Sequence, residues 1–351
     1  MTTALLKPRR RFGRRAAVWF AARLFGPPPA RPARIDTARL RRILVIRTGE
    51  RMGNLILMTP MLRSLKRALP WVSLDCLVAP LYASLLTGNR WVSSVHVFDK
   101  RRPLALWRMA RTLRRLRYDV VIDAAHPETL SLTSAILASA SHAAVTIRHA
   151  APGADRFFNV LVPLADSAVH DIEIKLDLLT PLGCAPSGLD MEVPEPPRPV
   201  SQSPVPPRLA VHLGARKSAN AIPPALLRDL VDRARPALPP LFIAGPAERD
   251  DDDHRPLGDI VRPIDVADLS RILATCTHYL GADTGPTHLA VALDLATFSV
   301  FTWHGSLRFG HDDGSRRRAV ELADDPTRVV AAFDDWLEAN GATLRDTTRI
   351  A

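Results

Sequence analysis

Short apolar runs alternate with segments of helical spacing along most of the chain, and this alternation limits the folds that it can adopt. The first run, RILVIRTG at 42–49, is followed by Leu57, Met61, Leu65 and Leu69, which recur at helical spacing. A continuous apolar run is typical of a strand buried on both faces of a parallel sheet. The pattern then repeats in the strand-like runs SLDCLVA, SSVHVFD and YDVVIDA and in the helical stretch LALWRMARTLRRLRY. This order predicts an α/β fold with parallel sheets.

A proline-rich segment divides the alternation into two halves. Residues 186–207, PSGLDMEVPEPPRPVSQSPVPP, lack periodicity and predict a semi-rigid linker. After it, RLAVHLGA, PLFIAGPA and HYLGADTG predict buried strands, VADLSRILATC predicts a helix, and residues 326–340 predict a final amphipathic helix. We therefore expect a basic segment at 1–41, an amino-terminal Rossmann-like domain at 42–185, the linker, and a carboxyl-terminal Rossmann-like domain at 208–351. Such sheets bind ligands outside the carboxyl ends of their strands.

The net charge of +11 is concentrated at the amino terminus. Residues 1–42 hold 12 of the 47 basic residues and one of the 36 acidic residues, which leaves 35 of each in the remainder. Trp19, Phe20 and Leu24 lie among arginines there, a composition suited to a membrane interface, although a disordered arm explains the short pattern equally well. We expect residues 1–35 to meet an anionic membrane surface. Nucleic acid is not expected, because the remainder is neutral and carries no matching motif.

Cysteine usage and hydropathy point to a cytoplasmic protein. Cys76, Cys184 and Cys276 lie far apart and form no CxxC pair, which argues against a disulfide framework and a metal cluster. No window approaches the roughly 18 apolar residues that a spanning helix needs. Residues 16–22 resemble a short signal-peptide core, but Arg23 ends the run early, so secretion is not expected.

Four segments carry a resemblance to a known family. They are ILVIRTGERMGNLILMTPMLRSLKRALP, LAVHLGARK, FIAGPAE and YLGADTGPTHLAVAL, and with the intervening pattern they cover roughly residues 42–305. Their order resembles glycosyltransferase family 9, the ADP-heptose:lipopolysaccharide heptosyltransferases, and the last segment is the most specific. The resemblance implies a GT-B architecture, with two Rossmann-like domains facing across a cleft, and inverting sugar transfer without a metal or cofactor.

The segment GADTGPTHLA predicts a strand end, a glycine turn and the start of a helix. The unpaired backbone N–H groups and the dipole at a helix N-terminus suit a diphosphate. An ordinary helix capped by Asp or Thr is the competing interpretation. The resemblance implies that Asp283, Thr284, Gly285 and His288 contact the nucleotide-sugar donor.

Two further strand ends supply candidates for the donor site. In HLGARK, Gly214 would let the backbone approach a phosphate while Arg216 and Lys217 supply charge, although a solvated basic turn has the same spacing. FIAGPAE resembles the loop on the nucleotide side of the family's cleft, with Gly245 and Glu248. The acidic run that follows, Asp250 to Asp253, is interpreted as an exposed loop rather than a metal site, because this fold stabilises the leaving diphosphate with backbone dipoles and cations.

The sequence departs from the family at the residue expected to act as the general base. Family members carry Asp where GERMGNLILMTP has Asn54, and a neutral carboxamide cannot take a proton near neutral pH. Glu50, the one carboxylate of this loop, is the first candidate, and His126 and Glu128, after strand YDVVIDA, come next. For each of them an ordinary surface side chain is the competing interpretation. The usual family lysine is also missing, since residues 220–222 are Asn, Ala and Ile.

These observations predict an inverting glycosyltransferase that moves heptose from ADP-heptose to a lipopolysaccharide or related envelope saccharide. The partners would be the nucleotide-sugar donor and a glycolipid or saccharide acceptor, and the protein would work in the cytoplasm, peripherally on the inner face of the inner membrane. Two alternatives stay open. The chain could be a related transferase that uses another nucleotide-sugar, or, since the usual Asp and Lys are both absent, a catalytically inactive nucleotide-sugar-binding or scaffold protein.

Overall fold

The chain packs into two compact units by its internal contacts. The first comprises residues 1–50, 60–167 and 172–189, and the second comprises 51–59, 168–171 and 190–351. Residues 51–59 therefore pack with the second unit although they lie in the predicted amino-terminal domain. The computed structural model describes residues 18, 23, 28–30, 32–164, 169–194, 205–215, 220–245, 260–323 and 325–347.

One parallel six-stranded sheet forms the centre of the first unit, with the strand order β3-β2-β1-β4-β5-β6. Its strands are β1 (Arg42–Arg47), β2 (Ser73–Val78), β3 (Ser94–Val97), β4 (Val120–Asp123), β5 (Val145–His149) and β6 (Val160–Val162). The helices in this part of the chain are α1 (Met52–Ile56), α2 (Thr59–Ala68), α3 (Ala105–Leu116), α4 (Leu132–Ser141) and α5 (Asp171–Asp177). Short 3-10 turns occur at Thr37–Arg39, Pro80–Leu85, Ala154–Arg156 and Thr180–Leu182.

A second parallel six-stranded sheet, with the order β12-β11-β10-β7-β8-β9, forms the centre of the second unit. Its strands are β7 (Leu209–His212), β8 (Pro240–Ile243), β9 (Ile260–Val261), β10 (His278–Ala282), β11 (Ala296–Phe301) and β12 (Arg317–Glu321). The helices that follow α5 are α6 (Pro224–Ala234), α7 (Val266–Leu273), α8 (Gly285–Ala292), α9 (Ser306–Phe309) and α10 (Pro326–Thr347).

The two sheets have the same topology. In each, the first strand in the chain lies at the centre, the next two extend one side, and the last three extend the other. This is the Rossmann strand order. The direction in which successive strands are added to the sheet reverses between β1 and β4 in the first sheet and between β7 and β10 in the second. The predicted α/β fold with two Rossmann-like sheets is confirmed.

The apolar runs are buried as the sequence predicts. Residues 43–46 of β1 are completely buried, as expected for a strand covered on both faces. In the second unit, Val329 and Phe333 of α10 are buried in the core, while Val330 and Leu337 pack against it. These four residues form the predicted apolar face of the last helix, which extends beyond the predicted end at residue 340 to Thr347.

The helix predicted from Leu57, Met61, Leu65 and Leu69 is interrupted. α1 ends at Ile56 and α2 begins at Thr59. Pro60 has no N–H to donate to the carbonyl oxygen of Ile56, which an uninterrupted helix would require. The Thr59 hydroxyl donates to that oxygen instead, at 2.7 Å. The predicted loop at 49–60 therefore contains a short helix of its own.

The amino-terminal segment and the linker are described only in part. Val18 is partly buried and packs against the core of the first unit, and Arg23 is exposed; the rest of residues 14–25 lie outside the described residues. Residues 186–194 and 205–207 contain no helix or strand, and 195–204 lie outside the described residues. Among the helices that the structure describes, none has the length and hydrophobicity needed to cross a bilayer.

Candidate functional site

The described donor-site candidates lie at the carboxyl edge of the second sheet. Gly214 follows β7 by two residues, Asp283 directly follows β10, and Gly245 follows β8 by two residues. All three strands are parallel neighbours, so their carboxyl ends lie at the same edge. Gly214 and Asp283 thus lie on the two sides of the switch point, where ligands of such sheets bind. The candidates Arg216, Lys217 and Glu248, and the acidic run at 250–253, lie outside the described residues.

The turn before α8 does not form the side-chain cap that the competing interpretation requires. Thr284 has an extended backbone at the N-cap position, but its side chain makes no capping hydrogen bond. The Asp283 carboxylate accepts a hydrogen bond from the Trp303 indole Nε1 at 3.1 Å. Neither side chain therefore caps the start of α8, and an uncapped helix N-terminus is the kind that attracts an anion.

Asp283 lies in a mixed environment. Burial raises the pKa of its carboxyl group, whereas the Trp303 hydrogen bond and the positive charge of Arg51 act in the opposite direction. A carboxylate in such a position can accept hydrogen bonds from the hydroxyl groups of a sugar or ribose. Trp303 is partly exposed and follows β11, so an aromatic surface accompanies this carboxylate at the same edge.

Helix α1 packs directly on α8 because glycines occupy the contact. A Cβ on Gly53 would lie 2.4 Å from Cδ2 of His288, and a Cβ on Gly285 would lie 2.8 Å from Cε and 3.0 Å from Cβ of Met52. Both distances are shorter than side chains tolerate. Gly285 therefore has a packing role, and its predicted donor contact remains a prediction. Asn54 lies in the same helix and is partly buried.

His288 is part of a small group of histidines in the second unit. Its Nδ1 shares a hydrogen bond of 2.9 Å with Nε2 of His311, and its Nε2 lies 4.0 Å from Oδ1 of Asp283. The rings of His311 and His170 are 5.4 Å apart, and His170 donates from Nε2 to the carbonyl oxygen of Gly310. Burial, and then repulsion from His288 and His170, lower the pKa of His311 well below its ordinary value. His311 is therefore neutral near pH 7 and orients the ring of His288.

Glu50 lies at the carboxyl edge of the first sheet, three residues after β1. Its Oε1 lies 3.2 Å from Nζ of Lys100 and 3.5 Å from Nη2 of Arg101, and its side chain is 40% exposed. The carboxylate is thus accessible but already shared by two cations. The Glu50 carboxylate can accept a proton, or a hydrogen bond from a hydroxyl group, if one of these ion pairs breaks.

His126 and Glu128 lie across the switch point of the first sheet from Glu50, in the loop after β4. Both side chains are exposed. Arg148 contacts the backbone of this loop, because its Nη2 lies 3.4 to 3.5 Å from the carbonyl oxygens of residues 126, 127 and 129. Arg148 is 1% exposed and its Nε lies 4.0 Å from Oδ2 of Asp123. The three base candidates therefore share one edge of the first unit.

Several residues of these two edges were not predicted from the sequence. Burial raises the pKa of Asp123, and the charges of Arg148 and Arg47 oppose that shift. Of these three buried residues, Arg148 is the one whose contacts with the 126–129 loop are described above. Asp123 carried a signal, because it is a carboxylate at the end of the apolar run VVI in YDVVIDA. Trp303 and His311 carried none, since they meet Asp283 and His288 only through the fold. No group of His, Cys, Asp or Glu in the described ranges could hold a metal ion.

The topology of the two sheets corresponds to a known class of architecture. Two parallel sheets of Rossmann order, each flanked by helices, are the GT-B architecture of glycosyltransferases. No protein-family profile and no curated protein matches the sequence.

Solved structures place the fold more narrowly. The structure is similar to glycosyl transferase family 9 from Veillonella parvula DSM 2008, with a TM-score of 0.68 and 17% identity over 84% of this chain and 89% of that one. It is also similar to E. coli heptosyltransferase WaaC with ADP, with a TM-score of 0.66 and 17% identity over 84% of this chain and 99% of that one. A third similar structure is E. coli ADP-heptose lps heptosyltransferase II, with a TM-score of 0.64 and 14% identity over 84% of this chain and 98% of that one. The predicted family 9 resemblance is confirmed at the level of the fold.

Proposed function

We propose that the protein is an inverting glycosyltransferase that moves heptose from ADP-heptose to a lipopolysaccharide or related envelope saccharide. The acceptor hydroxyl oxygen would form a bond to the anomeric carbon as the bond to the ADP oxygen breaks. The hydroxyl proton would pass to a base, and ADP would leave with the bonding electron pair. We place this reaction in the cytoplasm, next to the membrane that carries the acceptor.

The start of α8, at the switch point of the second sheet, makes no side-chain capping hydrogen bond, and this is the observation that carries the proposal. Asp283, Thr284 and His288 surround a helix N-terminus that has no side-chain cap. Such a terminus stabilises the negative charge that develops on a departing diphosphate. The fold likeness to heptosyltransferases, one of them in a structure with ADP, favours an ADP-sugar.

The first unit would supply the base. Glu50 is the first candidate, because it combines a carboxylate, partial exposure and a place at the switch point of its sheet. His126 and Glu128 remain the next candidates, and Arg148 holds their loop in place. Lys100 and Arg101 would keep Glu50 oriented until an acceptor displaces one of them.

One observation favours the alternative of a binding protein without catalysis. The side chain of Asn54 makes no hydrogen bond to the described part of the chain, so no contact there assigns the carboxamide the role of the usual carboxylate. A protein that retains the donor site but lacks a base would bind a nucleotide-sugar and not turn it over.

A turnover screen with envelope glycolipids tests the proposal. ADP-heptose, other ADP-sugars, UDP-sugars and GDP-sugars are supplied one at a time, and acceptor-dependent release of the nucleoside diphosphate is measured. We expect ADP release only when ADP-heptose and an acceptor are both present, with inversion at the anomeric carbon. Calorimetric binding of a donor without release under any condition would establish the binding protein instead.

A variant pair tests the donor site separately. Asp283→Asn should weaken donor binding by about tenfold or more, because hydrogen bonds to charged groups contribute roughly 1.5–3 kcal/mol. Asp294→Asn is the matched control, since Asp294 is exposed and has a left-handed backbone conformation that Asn tolerates. Equal donor affinity in the two variants would remove Asp283 from the donor site.

A further inference from the structure

The neutral balance of residues 43–351 conceals a strongly basic surface in the first unit. Residues 100–117, KRRPLALWRMARTLRRLR, contain eight basic residues and no acidic residue. They comprise the loop before α3, the whole of α3 and the residue that follows it. All eight basic side chains are exposed: Lys100, Arg101, Arg102, Arg108, Arg111, Arg114, Arg115 and Arg117.

Two large apolar side chains lie on the same surface. Leu104 is 64% exposed and Trp107 is 56% exposed. The apolar face of α3 is already used, because Leu113 is in the core of the first unit and Leu106, Met109 and Leu116 pack against it. Leu104 and Trp107 instead lie at helical spacing with the arginines of the outer face, and the Arg111 guanidinium lies 4.7 Å from the centre of the Trp107 ring. We call the exposed residues of the range 100–117 the basic face.

Most of the charge on the basic face is not neutralised by residues that the structure describes. Lys100 and Arg101 pair with Glu50, and Arg102 pairs with Asp99. The other five, Arg108, Arg111, Arg114, Arg115 and Arg117, form no ion pair with any residue that the structure describes. Four of these guanidinium groups lie along a helix about 18 Å long and the fifth, that of Arg117, directly follows it, so the five make a strip of positive charge.

The basic face begins beside the candidate base. The loop before α3 follows β3 at the carboxyl edge of the sheet, and Lys100 and Arg101 contact Glu50 there. A surface that binds this face would therefore lie close to Glu50. The location distinguishes the basic face from the arginine-rich residues 1–42, which lie mostly outside the described residues.

We propose that the basic face binds an anionic phospholipid surface, with the five unpaired arginines at the headgroup phosphates and Leu104 and Trp107 in the interface. A bilayer surface offers many anionic groups over the length of the strip, together with an apolar layer just below them. Tryptophan is suited to that boundary, because its ring is apolar and its N–H is polar. This binding requires neither a donor nor sugar transfer, so its test is independent of the proposed function.

Vesicle sedimentation of the full chain tests the role of the arginines. A triple variant with Arg108→Gln, Arg111→Gln and Arg115→Gln is compared with a control triple, Arg228→Gln, Arg271→Gln and Arg328→Gln, which removes the same charge from exposed residues of the second unit. Vesicles contain phosphatidylcholine with or without phosphatidylglycerol. Each basic residue near an anionic bilayer contributes about a fivefold factor in binding affinity. The first triple should therefore bind the anionic vesicles on the order of 100-fold more weakly than the control triple.

Equal binding of the two triples would overturn the proposal. So would a loss confined to a mixed-sequence DNA fragment, because that result would assign the basic face to nucleic acid. Circular dichroism and thermal unfolding establish that both triples are folded, which we expect because all six arginines are exposed.

Trp107 provides a second measurement that does not depend on charge. Bromine-labelled lipids quench only those tryptophans that reach the bilayer, and Trp107→Phe should remove a large part of that quenching. Trp71→Phe is the matched control, since Trp71 is 51% exposed and precedes β2 at the opposite edge of the same sheet. Quenching that falls equally in both variants, or in neither, would show that the basic face does not enter the interface.

Discussion

The Glu50 carboxylate is shared by Lys100 and Arg101, so a hydroxyl that gives it a proton must compete with two cations. This competition can be useful, because the cations hold the carboxylate in one place before the acceptor arrives. It also means that removing the carboxylate has two effects, the loss of a base and the release of two positive charges.

Glu50→Gln should lower turnover by about 10² to 10⁴ and leave donor affinity nearly unchanged, because general-base catalysis contributes on that order and Glu50 is not in the donor unit. Initial rates and calorimetry measure the two quantities. Asp155→Asn, which neutralises an exposed carboxylate elsewhere in the first unit, is the control and should turn over normally.

Turnover of the Asn54→Asp variant helps to explain the result obtained with Glu50→Gln. If Asn54 occupies the position of the usual family base, the new carboxylate should maintain or raise turnover and partly rescue Glu50→Gln. Full activity of Glu50→Gln, with activity lost in His126→Ala or Glu128→Gln, would move the base to the loop after β4.

Residue types at strand ends could be predicted from the sequence, but their partners could not. Asp283 and Thr284 could be placed at a strand end because an apolar run ends just before them and a helical pattern follows, whereas their donor role was implied by the family resemblance. Trp303, the partner of Asp283, and His311, the partner of His288, lie about 20 or more residues further along the chain than those partners, and no local spacing links them. Arg148 was missed for the same reason, because it reaches the 126–129 loop across the sheet.

Between elements, the contact of α1 with α8 depends on the absence of two side chains. Gly53→Ala should lower the free energy of unfolding by about 1–3 kcal/mol and weaken donor binding, because a Cβ would displace the His288 ring. Gly341→Ala in α10 is the control, since a Cβ there meets nothing within 4 Å and Ala favours a helix. Urea unfolding and donor calorimetry measure both effects, and equal stability of the two variants would contradict this account.

Short apolar runs predicted seven strands, among them the edge strand β3, but they did not predict β11 or β12. β12 was not predicted, because its sequence RRAVE is largely polar and every residue in it is only partly buried. It is an edge strand, paired only with β11, so its hydrogen bonds rather than its hydrophobicity define it. The interruption of the helix at 57–58 likewise depends on one missing N–H, that of Pro60, which an apolar spacing does not detect.

For the molecule as a whole, buried histidines make stability depend on pH. Burial lowers the pKa of His212 and of His278 from 6.5 to about 4. Above pH 6.5 both rings are neutral whether the chain is folded or unfolded. As the pH falls from 6.5 to 4, the unfolded chain takes up protons that the folded chain does not, so the folded state loses stability over that window.

His278→Gln should therefore reduce the pH dependence of the unfolding free energy. One proton corresponds to about 1.4 kcal/mol per pH unit, and the slope between pH 6 and 5 should fall by up to roughly that amount. Urea titrations at several pH values measure the slope. His142→Asn is the control, because His142 is exposed and its left-handed backbone conformation accepts Asn. An unchanged slope in His278→Gln would show that this ring does not carry the effect.

The packing of α1 on α8 also determines which fragments of the protein would keep the start of α8 intact. A fragment that starts after the proline-rich segment would contain α8 but not Met52 or Gly53, which cover its first turns. Water would then reach His288, and the fragment would no longer present the same surface at the start of that helix. A faithful isolated second half would need residues 51–59 returned to it, as an added peptide or by circular permutation.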